Sequence, residues 1–181
     1  DCLLLAVLLL ILCASCGKQI PSHTKNFDEQ AVSAEPEAAL LAQNDQFRLE
    51  WDDGTGGIRL VEIATQRTWG TSPADPETPQ LDEYGEPVRR HPMVNSALTV
   101  NYISATTQTE DTLTTYAGAV KSGRMACRTL EDGLRVDYYF DDISIMIPVE
   151  YRLRNTGVEM RVITGDIQEA ENKLVSVALA P

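Results

Sequence analysis

Short apolar segments separated by turn residues recur about every dozen residues through the second half of this 181-residue chain. The segments are rich in Thr, Val, Ile and Tyr, which favour β-strands over helices. They lie at 97–103, 113–120, 125–130, 134–140, 143–153 and 158–163. Gly- and Asp-containing turns separate them, among them 131–133 and 155–157. This spacing predicts an all-β fold, an antiparallel β-sandwich.

A β-hairpin is predicted at the start of this region. Phe47, Leu49 and Trp51 alternate with polar residues, an Asp/Gly cluster follows, and apolar residues resume at 58–63. Trp51 is in phase with the other two and is expected in the core. The preceding segment, 35–43, fits either a short helical turn or the lead-in to the first strand. No sustained helical period follows residue 17, which argues against a βαβ architecture.

The first residues are typical of a secretory signal peptide. The apolar run 3–12 is too short for a membrane-spanning helix, which needs ~20 residues. It has the length of a signal-peptide h-region, and the small residues Ala14 and Ser15 follow it directly before Cys16. This order resembles the bacterial lipobox, in which the Cys is acylated and becomes the mature N-terminus. The alternative is an ordinary signal peptide with an incidental Cys.

The lipobox reading predicts an extracytoplasmic protein anchored by lipid to the bacterial cell membrane. No basic residue precedes the apolar run, so we expect further residues before Asp1. We divide the chain into a signal peptide at 1–15, a flexible tether at 16–40 and the sandwich at 41–181. A loop at 70–92 holds five of the nine prolines. The last strand-like run ends abruptly, so the sandwich is expected to be incomplete at its C-terminal end.

The charge balance restricts the class of partner. The chain has 27 acidic and 15 basic residues, a net charge of −12. Nucleic-acid binding needs clustered Lys and Arg, so it is not expected. Anionic lipid would repel such a chain, and we therefore expect the acylated Cys16 to make the membrane contact.

The sequence contains no pattern that indicates a cofactor or metal. His23 and His91 have no second ligand at zinc-binding spacing. The Gly-rich turn at 54–57 lacks the Lys and the helix of a phosphate-binding loop, and no nucleophile elbow is present. Cys127 is the one thiol expected to remain in the mature chain, and it lies in a strand-like run. A buried, inert thiol is favoured over a nucleophile.

Two pairs of carboxylates and several aromatic residues remain as candidates for chemistry. Glycoside hydrolysis needs two carboxyl groups, and Asp52-Asp53 and Asp141-Asp142 are the obvious pairs. Both lie in predicted turns, where Asp is common because it bonds its own backbone. We therefore favour a structural role over catalysis or Ca²⁺ binding and assign no catalytic residue.

Trp69 and Tyr84 are the candidate carbohydrate contacts. Trp69 closes a short strand beside the Pro-rich loop, and core burial is the favoured interpretation of its position. Tyr84 lies within the loop and is expected to be exposed. Tyr138 and Tyr139 are neighbours on one strand and must face opposite sides, so one of them is expected to be buried.

The order of these features resembles a known family. The hairpin at 47–63 is followed by Thr68-Trp69, a Ser72-Pro73 loop, the 148–153 run PVEYRL and the 158–162 run VEMRV. This order, over about residues 40–181, is similar to that in a family of bacterial surface lipoproteins of unknown function. In that family a galactose-mutarotase-like β-sandwich precedes a glycosidase-like (β/α)8 barrel.

The resemblance implies an accessory sandwich of a carbohydrate-active surface protein, with a barrel encoded downstream. It assigns no functional residue in this portion, and this portion alone is not expected to hydrolyse glycosides. The alternative is a stand-alone binding or structural lipoprotein. Sugar epimerisation by the sandwich itself is disfavoured, because galactose mutarotases rely on His with Glu and no predicted strand carries a His.

Overall fold

The computed structural model is mostly β. It describes residues 25–179 except 32, 35, 37, 53–54, 72–79, 82–83, 85–86 and 89–95. The strands of this part are β1 Lys25–Asn26, β2 Leu40–Gln43, β3 Phe47–Asp52, β4 Gly57–Glu62, β5 Thr68–Gly70, β6 Gln80–Leu81, β7 Pro87–Val88, β8 Leu98–Ile103, β9 Glu110–Thr114, β10 Met125–Leu130, β11 Gly133–Phe140, β12 Ile145–Arg154, β13 Gly157–Val162, β14 Gln168–Glu169 and β15 Lys173–Leu179. Helical structure here is limited to a π-helical turn, Tyr116–Val120, and two 3-10 turns, Asp141–Ile143 and Thr164–Asp166.

The main sheet is curled and mixed. Its strand order is β1-β14-β12-β11-β10, with β13 also paired to β12. The pairings within it are antiparallel except for β1 on β14, which is parallel. The other described sheets have the orders β2-β3-β4-β5, β15-β8-β9 and β6-β7. The prediction of a mostly β, largely antiparallel fold is confirmed at this level.

The longest strand, β12, carries a proline at the point where its partner changes. One side of β12 pairs with β11 along its length, while the other side pairs first with β14 and then with β13. Pro148 stands between those two partners, and its carbonyl accepts a bond from the Ile163 N–H at 3.0 Å. The missing N–H of Pro148 points to that same side, so the ladder to β11 loses no hydrogen bond.

One hydrophobic core joins three of the sheets. Alternate residues of each strand point into it, as a pleated sheet with one buried face requires. The buried members include Leu49, Leu60, Leu98, Val100, Leu134, Val136, Phe140, Ile145, Ile147 and Val149. Trp51 is also buried, as its phase predicted.

Two tyrosines place a polar pair inside this core. Tyr138 and Tyr151 are fully buried, and their hydroxyl oxygens are 2.8 Å apart. The Tyr138 hydroxyl donates to the Gly56 carbonyl at 2.8 Å, so the Tyr151 hydroxyl must be the donor to Tyr138. Burial raises the pKa of both phenols. The pair therefore fixes the β3–β4 turn on the main sheet. Gly56 has φ +61°, a conformation that glycine adopts without strain.

Most of the predicted strands are present, and one is partly wrong. The predicted strand at 113–120 ends at Thr114 and continues as the π-helical turn. The Thr115 hydroxyl bonds both the N–H and the carbonyl of Leu98 at 3.3 Å, which takes the place of ladder bonds. Gly118 lets the turn approach Phe140, since a Cβ there would lie 2.5 Å from a ring carbon. Segment 35–43 contains β2, which favours the strand alternative.

Two further expectations need correction. Tyr138 and Tyr139 are both buried, because the side of the main sheet that bears Tyr139 is covered by Phe27. The tether predicted at 16–40 is not free of the fold, since β1 pairs with β14 and Ala34 bridges Ala126 in parallel. Backbone bonding at two sheet edges holds Lys25, Asn26 and Ala34 in place. The predicted loop at 70–92 includes the end of β5 and the short β6–β7 pair.

Removing the Tyr138 hydroxyl should cost more stability than removing its partner. Tyr138→Phe leaves the Gly56 carbonyl and the Tyr151 hydroxyl buried without a partner, and we expect a loss of about 1–3 kcal/mol in unfolding free energy. Tyr151→Phe keeps the bond to Gly56 and should cost about 0.5–1.5 kcal/mol. Urea denaturation measures both. Tyr102→Phe, on a partly buried ring at the edge of the core, is the control, and equal losses in all three variants would contradict the assignment.

Candidate functional site

Trp69 lies half exposed on the edge strand of its sheet. It pairs with Leu60, and cross-strand partners point to the same face, so the indole continues the apolar row of Leu49 and Leu60. Leu60 is 9% exposed, whereas Trp69 is 50% exposed. The expectation that Trp69 is buried in the core is therefore wrong. The physical reason is that β5 is the last strand of the order β2-β3-β4-β5 and only three residues long.

Tyr84 lies in the turn between β6 and β7 and is 81% exposed. Its predicted exposure is confirmed. Trp69 lies in the β2-β3-β4-β5 sheet, whereas Tyr84 joins the two strands of the β6-β7 sheet. The predicted lipidation site, Cys16, lies outside the described residues.

Asp141 and Asp142 lie in a turn, as predicted. Asp52 ends β3, and its carbonyl accepts a bond from the Thr55 N–H at 3.3 Å, while Asp53 lies outside the described residues. Asp141 begins the 3-10 turn between β11 and β12. The Arg124 guanidinium donates to both of its carboxylate oxygens, at 2.5 and 3.1 Å. That bidentate pair gives Asp141 a structural role.

Three turns form a polar cleft that the sequence analysis missed. A cavity of about 260 Å³ is lined by Asn44, Asp45, Gln46 and Asn155. A neighbouring cavity of about 230 Å³ shares Asn44 and Asn155 and extends to Glu131, Asp132 and Leu153. The lining groups are amides and carboxylates, which can bond the hydroxyl groups of a polar ligand. Because the turns are far apart in the sequence, no local motif could reveal the cleft.

Asn44 makes the wall of this cleft rigid. Its side-chain oxygen accepts bonds from the N–H groups of Gln46 and Phe47, at 2.9 and 2.8 Å. Its amide nitrogen donates to the Arg154 carbonyl at 3.1 Å. The β2–β3 turn is thereby tied to the end of β12.

The face of the main sheet turned away from the core, here called the outer face, carries ion pairs. Arg135 and Asp137 alternate along β11 with core residues, and their charged groups are 2.7 Å apart. Arg135 also pairs with Asp166 at 2.7 Å, and Lys25 pairs with the same carboxylate. Asp137 is 8% exposed, so this pairing compensates the burial of its charge.

A second ion-pair network lies near the polar cleft. Asp132, in the β10–β11 turn, accepts bonds from both Arg152 and Arg154. The network links the charged side chains of Asp132, Glu150, Arg152, Arg154, Glu159 and Arg161. Alternation along the strands predicts exposed polar residues, but which charges meet depends on the strand register and could not be read from the sequence.

The ion pairs keep several carboxylates ionised. Hydrogen bonds from Lys25 and Arg135 lower the pKa of Asp166 to about 2. Burial acts to raise the pKa of Asp132, but the bonds from Arg154 and Arg152 outweigh it and lower that pKa. Arg154 and Arg161 lower the pKa of Glu159. A glycosidase acid needs the opposite shift, so these three groups are poor candidates for that role.

Within the described part of the chain, the potential metal ligands are scattered and the thiol is partly buried. There, no group of three or more His, Cys, Asp or Glu side chains is placed to hold a metal ion. His23 and His91 lie outside it. Cys127 lies in β10, partly buried and packed against the core. Among the same residues, no helix has the length and apolar character to cross a membrane.

Acid should weaken the fold through Asp166. Its folded pKa of about 2 is below the ordinary value, so its stabilising effect is fully present above about pH 4 and is lost as the pH falls through 2. We expect the unfolding free energy of Asp166→Asn to vary less over this range than that of the parent chain. Lys25→Gln, which removes one of the two donors, should be intermediate. Denaturation at several pH values measures this, and identical slopes would contradict it.

Comparison of the chain with known protein families gave no match, and comparison with curated proteins gave none either.

Proposed function

We propose that the chain is the N-terminal accessory β-sandwich, of the galactose-mutarotase-like type, of a membrane-anchored cell-surface lipoprotein that acts on carbohydrate. In this proposal Cys16 carries the lipid, the β domain contacts glycan, and a barrel encoded downstream performs any hydrolysis. The mostly β fold and its curled main sheet are consistent with this architecture.

The half-exposed indole of Trp69 is the observation that carries the carbohydrate part. A large aromatic ring on an edge strand contributes less to the core than a buried one. Its apolar face, open to solvent at the level of Leu60, can stack on the C–H face of a sugar ring. Tyr84 offers a second exposed ring elsewhere on the surface. Such rigid aromatic groups are the usual anchors of a binding surface.

The alternative is a stand-alone, non-enzymatic surface lipoprotein with a binding or structural role. The downward pKa shifts of Asp132, Glu159 and Asp166 fit both proposals equally, because neither assigns proton donation to this domain. Reading the gene beyond Pro181 separates the two proposals. A (β/α)8 barrel supports the accessory module, and a stop codon supports the stand-alone protein.

Replacing Trp69 should weaken glycan binding without unfolding the domain. We expect Trp69→Ala to raise the Kd for a bound polysaccharide about tenfold, as for a central aromatic anchor, and Trp69→Phe to retain part of the affinity. Affinity electrophoresis against a panel of surface polysaccharides measures this. Leu40→Ala is the matched control, because Leu40 is equally exposed on the opposite edge strand of the same sheet. Equal loss in both variants, or binding to no polysaccharide, would count against the proposal.

Lipidation of Cys16 should decide the cellular location. We expect a fatty-acid analogue to label the parent protein in bacterial cells and to leave Cys16→Ser unlabelled and released from the membrane. Gel fluorescence of membrane and soluble fractions reads out both effects. Cys127→Ser is the control that should keep its label. Undiminished labelling of Cys16→Ser would refute lipidation at Cys16.

A further inference from the structure

The segment that precedes β2 is bonded to one edge of the main sheet at its start. The Lys25 N–H donates to the Ile167 carbonyl at 2.8 Å, and the Phe27 N–H donates to the Glu169 carbonyl at 3.2 Å. The Asp28 N–H donates to the Gln168 side chain at 2.9 Å. These bonds add β1 to the sheet beside β14.

The same segment reaches β10, at the other end of the strand order. The Ala34 N–H donates to the Met125 carbonyl at 2.9 Å, and the Cys127 N–H donates to the Ala34 carbonyl at 2.7 Å. Between β14 and β10 lie β12 and β11, a span of about 14 Å at the usual strand spacing. The segment at 25–34 is here called the strap, because it runs from one side of the sheet to the other.

Arg124 clamps the strap on the outer face. Its guanidinium donates to the Ala31 carbonyl at 2.7 Å and to the Glu29 carbonyl at 3.5 Å, while it also pairs with Asp141. It lies 5.3 Å from the centre of the Tyr139 ring. The Phe27 ring packs edge to face on the same tyrosine, with centroids 6.1 Å apart. The strap is therefore held by backbone bonds at both ends and by apolar and charged contacts between them.

We infer that the strap is the point at which the membrane pulls on the domain, and that it holds the β1–β14 edge of the main sheet close to the lipid surface. The inference rests on the proposed acylation of Cys16. Lys25 is nine positions after Cys16, and a chain of that length reaches at most about 30 Å. Leu40 is 24 positions after Cys16, so with the strap detached the chain before β2 would reach about 80 Å. The partner is the lipid headgroup layer, and the strap limits how far the β1–β14 edge can lie from it.

The strap divides the chain before β2 into a part that sets the distance to the membrane and a part that does not. A flexible insert before the strap adds to the reach. An insert between the strap and β2 adds nothing, because the strap stays bonded to the sheet. A 15-residue Gly/Ser insert has a root-mean-square length of about 20 Å, which is large enough to detect. This difference is specific to a bonded strap.

The experiment measures energy transfer from a dye on the lipidated, full chain to rhodamine-labelled headgroups in phosphatidylcholine vesicles. Val175→Cys with Cys127→Ser places the dye on β15, where Val175 is 48% exposed. We expect the insert after Ser22 to lower the transfer and the same insert after Ala38 to leave it unchanged. In the double variant Arg124→Ala, Phe27→Ala, both inserts should lower the energy transfer. Arg128→Ala, which changes an exposed arginine of β10, is the matched control and should behave like the parent.

Three results would overturn parts of this scheme separately. Equal effects of the two inserts in the parent chain would refute the strap and leave the anchor intact. Failure of the parent chain to enter the vesicles would refute the anchor and, with it, the orientation. Hydrogen exchange on the Cys16→Ser chain tests the strap without lipid. In the Cys16→Ser chain, we expect the amides of residues 27 and 34 to exchange at least tenfold more slowly than in the same chain with Arg124→Ala and Phe27→Ala added. Equal exchange rates in the two chains would refute the clamp.

Discussion

The bond between the Tyr138 hydroxyl and the Gly56 carbonyl is the constraint on which the arrangement of the sheets depends. It joins a strand of the main sheet to the turn of the β3–β4 hairpin, across the core that both sheets line. Apolar packing is not directional and would tolerate several positions of that hairpin. The buried Gly56 carbonyl has a single donor and tolerates only one position of the hairpin, because any displacement leaves this carbonyl without a hydrogen bond. Tyr151 completes the pair by donating its own proton.

The main sheet in turn depends on β12, which changes partner along its length. Pro148 marks that change: β14 pairs with β12 before it, and the last residue of β13, Val162, pairs with Val149 directly after it. A proline in a central strand ordinarily argues against a strand assignment. Here the residue terminates one pairing and permits the next. The ten residues of β12 are enough to pair with both β14 and β13 on the same side.

The sequence predicts those parts of the fold that depend on local patterns, and it fails where distant residues meet. Alternation located β10 to β13 and the phase of Trp51, because a pleated strand repeats every two residues. It missed the turn after Thr114, where Thr115 bonds a strand 17 residues away in the chain. It placed Trp69 in the core, because the pattern shows which face a residue points to but not where a sheet ends. The strap, the cleft and the partners of Arg124 depend on contacts across the whole chain.

The ion pairs around the main sheet have a consequence for how charge is distributed over the molecule. They contain six basic and six acidic side chains, so the pairs together add no net charge. The other 21 acidic and nine basic residues carry the whole excess of −12. The paired charges cancel, so the net charge of the chain comes from side chains outside these pairs. Opposite charges held within bonding distance have little field beyond a Debye length, whereas the acidic excess makes copies of the chain repel one another in dilute salt.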